Sequence, residues 1–181
     1  QINNEIKNIK ILGCLSNKIK TLEPFDKYTC LFLDDLSAQI LKIDKKNLHP
    51  DLIVFAFWIR KKNILRLKSK YLDKHFRLGR GLIFHIAPSN VPINFAYSLV
   101  FGLLSGNSNI IRIPSKQFIQ VEIIINAISK LLKNKKYKMF NSMIQLIRYD
   151  RNQAINDYYS SICDVRIIWG GDKTIENIRL S

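Results

Sequence analysis

Residues Gly79 to Lys116 read GRGLIFHIAPSNVPINFAYSLVFGLLSGNSNIIRIPSK, and this stretch decides the fold. Leu82 to Ala87 is a short apolar run with glycine before it and proline after it, the pattern of a strand buried in a sheet. Pro88-Ser89-Asn90-Val91-Pro92 follows. Each proline fixes its own φ and pushes the preceding residue out of the helical region, so this loop is extended and stiff. Ile93 to Leu104 is almost wholly apolar, and Gly106 just beyond it suits a left-handed helix stop. Asn109 to Ile113 is a second apolar run, closed by Pro114-Ser115-Lys116. Strand, stiff loop, buried helix and strand make a βαβ unit.

The same alternation continues toward the C-terminus. Gln117 to Lys133 places Phe118, Val121, Ile124, Ile125, Ile128 and Leu131 at three- and four-residue steps, which predicts an amphipathic helix. Asn134-Lys135-Lys136 reads as an exposed turn, Met143 to Tyr149 as a strand and Asn152 to Ile162 as a helix. Asp164 to Trp169 is a further strand, stopped by Gly170-Gly171. Asp172 then caps a last helix with Ile175 and Ile178 on one face. The order βαβαβαβα from Gly79 onward is that of an open parallel sheet with helices on both faces. The last helix has no stop signal before Ser181, so the chain reads as the N-terminal part of a longer protein.

Toward the N-terminus the pattern is helical. Ile6 to Leu12 reads as a short strand broken by Gly13, and Thr21 to Tyr28 as connection. Leu31 to Lys42 predicts a helix with Leu33, Leu36 and Ile40 inward and Asp34 and Asp35 in its first turn. A second helix starts at His49-Pro50. It buries Leu52, Phe55, Ala56 and Ile59, and runs on into Arg60, Lys61, Lys62, Arg66, Lys68 and Lys70. Residues 1–78 are therefore read as a helical lead-in and residues 79–181 as the sheet domain.

Composition narrows the function. A hydrophobic fraction of 47% supports a packed core, and no apolar run reaches the length of a membrane span. Cys14, Cys30 and Cys163 are far apart and odd in number. They suit neither a metal site nor a disulfide framework, and point to a reducing cytoplasmic compartment. The net charge of +15 leaves a polyanion partner open, but the lysines are scattered. A basic nucleic-acid module is disfavoured: the chain has no helix-turn-helix, RRM or zinc signature and no aromatic stacking platform.

In an open parallel sheet, ligands bind beyond the carboxyl ends of the strands. Three such ends carry loops of interest: Pro88 to Pro92, Pro114 to Lys116, and Gly170 to Asp172. The G-x-G-x-x-G fingerprint is absent. Three motifs, HIAPSNVP, LLSGNSNIIRIPSK and IIWGGDKTI, with FWIRK in the lead-in, resemble the LuxC-type acyl-CoA reductase family. That is the fatty-acid reductase component of bacterial bioluminescence, within the aldehyde dehydrogenase superfamily. The resemblance covers roughly residues 30 to 181. It implies an aldehyde dehydrogenase-like, Rossmann-like cofactor domain that lacks the usual glycine fingerprint.

It also implies roles for particular residues. Asn90, which alone reads as a turn residue, matches the superfamily's oxyanion-hole asparagine. Pro88 and Ser89 precede it on the cofactor side. Arg112 and Ser115 fall where the superfamily contacts the adenosine ribose. Many NAD-dependent members have a glutamate at the Ser115 position, so serine between Arg112 and Lys116 favours the 2′-phosphate of NADPH. Gly170 and Gly171 match the turn beside the pyrophosphate. The resemblance further implies reduction of a fatty acyl thioester to an aldehyde through a cysteine acyl-enzyme. No cysteine here matches that nucleophile. The implied partners are acyl-CoA, or an acyl-carrier or acyl-protein synthetase, with self-association of the full-length protein. A non-catalytic scaffold derived from the family is the alternative. His85, inside a buried strand, reads as a hydrogen-bonded core histidine rather than a catalytic one, and Trp169 as packing rather than cofactor stacking.

Overall fold

The computed structural model describes residues 2–15, 18–44, 49–71 and 75–179. Its centre is a five-stranded sheet in the order β1-β4-β3-β2-β5. The strands are β1 (Lys10–Leu12), β2 (Leu82–Ile86), β3 (Ser108–Arg112), β4 (Ile144–Ile147) and β5 (Val165–Ile168). β2 to β5 run parallel, whereas β1 pairs antiparallel with β4 at the edge. The sheet is thus mostly parallel rather than wholly so. The expected strand Ile6 to Leu12 divides into helix α1 (Ile2–Asn8) and the three residues of β1. Only that short piece reaches a partner, the free edge of β4.

β2, β3 and β4 are buried because both faces of the sheet are covered, whereas β5 at the edge is half-buried. On one face lie α5 (Asn94–Leu104) and α6 (Ile119–Leu132), with α2 (Lys27–Leu41) and α3 (Pro50–Trp58) packed beyond them in one continuous core. On the other lie α1 and α7 (Gln153–Ile162), around Phe84, Ile110, Ile147 and Tyr159. The connections explain this division. From β2 through β3 to β4 the chain steps one way across the sheet, and a right-handed crossover puts both helices on one face. From β4 to β5 it steps back past β3 and β2, so the same handedness puts α7 on the opposite face. The reversal leaves β2 flanked by β3 on one side and β5 on the other.

Several boundaries differ from the sequence expectation for physical reasons. α2 begins at Lys27, because Asp26 caps it by accepting the Tyr28 and Thr29 N–H groups. Asp34 and Asp35 therefore sit mid-helix, where they tie elements together. Asp34 Oδ1 accepts the Lys61 N–H at 2.8 Å, and Asp35 meets Lys136 and the Tyr137 hydroxyl. The helix that starts at Pro50 stops at Trp58. Arg60 is extended, and α4 (Lys61–Lys70) is a separate helix. The expected turn at 134–136 opens a 3-10 helix, Lys135–Ser142, which buries Tyr137 and Phe140. Asp172 is the first residue of α8 (Asp172–Arg179) rather than its cap. Gly106 is left-handed, φ 80°, as expected for the α5 stop. Among the described residues no helix is long and apolar enough to cross a membrane.

Candidate functional site

Register aligns the carboxyl ends of the parallel strands. Ile147, Arg112, Ile86 and Ile168 form one row across β4, β3, β2 and β5. The loops beyond this row enclose a cleft of about 690 Å³, within the range of roughly 300–1,000 Å³ usual for small-molecule sites. It lies where the strand order reverses around β2, which is where open α/β sheets bind ligands.

The stiff loop after β2 supplies Pro88, Ser89 and Asn90, and β3 and its loop supply Arg112 and Ser115. The turn after β5 supplies Trp169, Gly170 and Gly171. Residues far apart in the chain are thus brought to one cavity. Asn90 is exposed at its rim. Lys116 is not part of the lining; its ammonium lies over the Phe118 ring, 5.3 Å from the centroid. Sequence reasoning missed a fourth wall. The loop after β4 and the start of α7 bring in Asp150, Arg151, Asn152, Gln153 and Asn156. The signal was available, since β4 also ends in that row.

Two cations, Arg112 and Arg151, and one anion, Asp150, line the cleft. Arg112 is held in place. Its guanidinium lies 4.7 Å from the Tyr149 ring centroid and donates to the Tyr149 carbonyl oxygen at 3.4 Å. Burial pushes the Tyr149 phenol above its ordinary pKa, and its O–H donates to Asn156 Oδ1 at 2.6 Å. At Gly171 an added Cβ would meet no protein atom within 4 Å, and no positive φ demands glycine there. Neither packing nor backbone strain accounts for that glycine. The space beside it belongs to the cleft.

Beneath the cleft runs a buried polar chain. The Trp169 indole N–H donates to Ser98 Oγ at 2.9 Å. The Ser98 hydroxyl is 2.7 Å from His85 Nδ1, and His85 Nε2 is 3.0 Å from Asn109 Oδ1. The Asn109 amide nitrogen donates to the Asn107 carbonyl at 2.7 Å. That contact fixes which end of the Asn109 amide faces His85. Nε2 must then carry the imidazole proton, Nδ1 must accept from Ser98, and the Ser98 oxygen is free to accept from Trp169. Burial holds the His85 pKa down at about 4, so the ring is neutral at physiological pH. His85 is the hydrogen-bonded core histidine that the sequence suggests.

Cys14 is exposed, Cys30 buried and Cys163 half-buried, and none lines the cleft. Burial pushes the Cys30 and Cys163 thiols up, away from thiolate character. Among the described residues no three His, Cys, Asp or Glu side chains are grouped to hold a metal ion.

The family model described as Acyl-CoA reductase (LuxC) matches residues 35–181 of this chain. The chain belongs to the LuxC acyl-CoA reductase family. The match takes in the whole of the parallel sheet and every loop of the cleft. The family is one of acyl-CoA reductases, which supports an oxidoreductase assignment at the level of the family. Comparisons with curated proteins and with solved structures gave no match.

Proposed function

We propose that this chain carries the cofactor-binding part of an NADPH-dependent reductase that takes a fatty acyl thioester to the aldehyde. The observation that carries the reading is the convergence of Pro88–Asn90, Arg112, Ser115 and Gly170–Gly171 on one cleft at the switch point of the sheet. A strand order of β4-β3-β2-β5 matches half of a Rossmann-like doubly wound sheet.

The lining suits a phosphorylated dinucleotide. Arg112, already oriented by Tyr149, offers a fixed guanidinium to a ribose 2′-phosphate, and Ser115 beside it adds a neutral hydroxyl where a carboxylate would repel. Arg151 adds a second cation to the lining. The open space at Gly171 lets backbone approach a pyrophosphate, and α8 begins one residue later, so its first N–H groups are the ones a phosphate there would meet. Asp172 opposes that charge, so its role is confined to starting the helix. When bound, NADPH supplies the hydride.

Asn90 is the oxyanion donor in this reading. A thioester carbonyl gains negative charge when a thiolate attacks it. A side-chain amide on a stiff loop meets that charge without reorganising. The nucleophile is a cysteine outside these 181 residues, and the acyl group passes through a cysteine acyl-enzyme. The protein works in the cytoplasm and self-associates. Arg60, Lys61, Lys62 and Arg66, all exposed on or beside α4, receive the acidic carrier or the phosphates of acyl-CoA.

The test is a calorimetric titration with NADPH and NADH, together with an assay of aldehyde formation from a fatty acyl-CoA by the full-length protein. Saturable binding that favours NADPH, with NADPH-dependent aldehyde formation, supports the reading. NADH bound as tightly as NADPH removes the phosphate assignment, and no aldehyde formation removes the reaction.

A further inference from the structure

Trp169 sits where the cleft meets the buried chain described above. The residue is 37% exposed, and it lines the cleft with the loop after β2 and the Gly170–Gly171 turn. Its N–H is committed to Ser98 Oγ, so it has no donor left for a ligand. An indole carries a flat, electron-rich face.

That face is held still. Trp169 N–H is fixed by Ser98, Ser98 by His85 and His85 by Asn109, with one consistent donor at each link. Ser98, His85 and Asn109 are all fully or almost fully buried. The arrangement also constrains α5. A Cβ at Gly102 would lie 1.9 Å from Asn109 Oδ1 and 3.0 Å from His85 Nε2, so the helix carries a glycine in its interior, where glycine weakens helices. An indole needed only for packing would require none of this.

We propose that Trp169 is a ligand-binding residue whose fixed indole face stacks on a planar ring of the cleft's ligand, and that Ser98 and His85 are the residues that position it. A wall ordered before binding loses no rotamer freedom when the ligand arrives. The identity of the ligand rests on the dinucleotide reading above. A dinucleotide carries a planar ring at each end, adenine and nicotinamide, and both have the chemistry that an indole face accepts.

The experiment uses the full chain carrying Trp58→Phe, which leaves Trp169 as the one indole of this sequence. NADPH is titrated while Trp169 emission and heat are both recorded, and thermal melts confirm that each variant folds. The expected result is emission quenching that saturates with the calorimetric curve. Trp169→Ala should weaken NADPH binding about tenfold or more, the scale of losing one ring stack. Trp169→Phe, which keeps a ring but has no N–H to anchor, should lose much less. Ser98→Ala should shift Trp169 emission to longer wavelength and weaken binding several-fold. Separate titrations with 2′-phospho-ADP-ribose and with nicotinamide mononucleotide identify the ring, since the half that quenches carries it. If NADPH binds by calorimetry while Trp169 emission and the Trp169→Ala affinity stay unchanged, the inference is overturned and the cofactor reading survives. If NADPH does not bind the folded parent, both fall.

Discussion

Arg112 at the end of β3 lies over the ring of Tyr149 in the loop after β4, with its guanidinium carbon 4.7 Å from the ring centroid. The contact joins the ends of two neighbouring strands, and Asn156 on α7 secures the Tyr149 hydroxyl. A cation restrained in this way is more selective for a phosphate than a free one, because less motion is lost on binding. Arg112→Ala should therefore weaken NADPH by roughly 1.5–3 kcal/mol, as for a charge-assisted contact, and change NADH little. Tyr149→Leu should cut the NADPH-to-NADH preference while Arg112 remains. Affinities for both cofactors in both variants check this. Equal losses for NADPH and NADH would place Arg112 elsewhere in the site.

His85 predicts a pH dependence of stability. Its pKa is held down from 6.5 to about 4 by burial in the folded protein. On unfolding the ring regains its ordinary value and takes up a proton below pH 6.5. The stabilisation from keeping His85 neutral is complete above that pH, declines as pH falls toward 4, and is gone below it. The shift corresponds to roughly 3 kcal/mol. The stability gap between wild type and His85→Gln should shrink by that order between pH 7 and pH 4. Denaturant melts at several pH values measure it. A gap that stays constant across the range would mean that His85 is not held neutral.

Gly102→Ala tests the close approach of α5 to the buried chain. Alanine favours a helix over glycine by up to about 1 kcal/mol. Here its methyl would collide with Asn109 Oδ1, so overpacking, usually about 1–3 kcal/mol, and the lost hydrogen bond should win. Net destabilisation of about 2 kcal/mol is expected from thermal or urea unfolding. A stabilised variant would show that the approach is looser than the structure has it.

Much of this was legible in the residues. Apolar runs bounded by glycine and proline located β2 and β3 within about a residue, because a strand buried on both faces leaves a continuous signal, and the half-buried edge strand β5 was located as closely by its apolar run before Gly170. The 3.6-residue pattern located α6 for the same kind of reason, and the helix expected over Asn152 to Ile162 is α7. β1 was not legible as such: three residues on a sheet edge carry no periodicity, and only the partner strand makes them a strand. The start of α2 was misplaced because the decisive residue, Asp26, acts by hydrogen bonding to backbone that pattern does not show. Seven of the eight residues expected in the site line one cleft, whereas Lys116 turns onto Phe118. The wall from Asp150 to Asn156 was overlooked because its residues carry no motif, although the strand before it ends in the same row as the others. The Trp169–Ser98–His85–Asn109 chain was hidden because its members come from the turn after β5, from α5, β2 and β3, and meet only in three dimensions.

The most direct measurement compares Asn90→Ala with Asn90→Asp in the full-length enzyme, reading turnover and cofactor affinity together. An oxyanion donor is used mainly in the transition state, so its loss should appear in kcat and not in NADPH binding. Asn90→Ala should lower turnover about 10²–10³-fold, or roughly 2.7–4 kcal/mol. Asn90→Asp should be at least as harmful, since a carboxylate would face the forming oxyanion. An asparagine that only shapes the turn would be replaced by aspartate with little effect. Near-normal turnover of Asn90→Asp would contradict the oxyanion role and with it the mechanism proposed for this cleft.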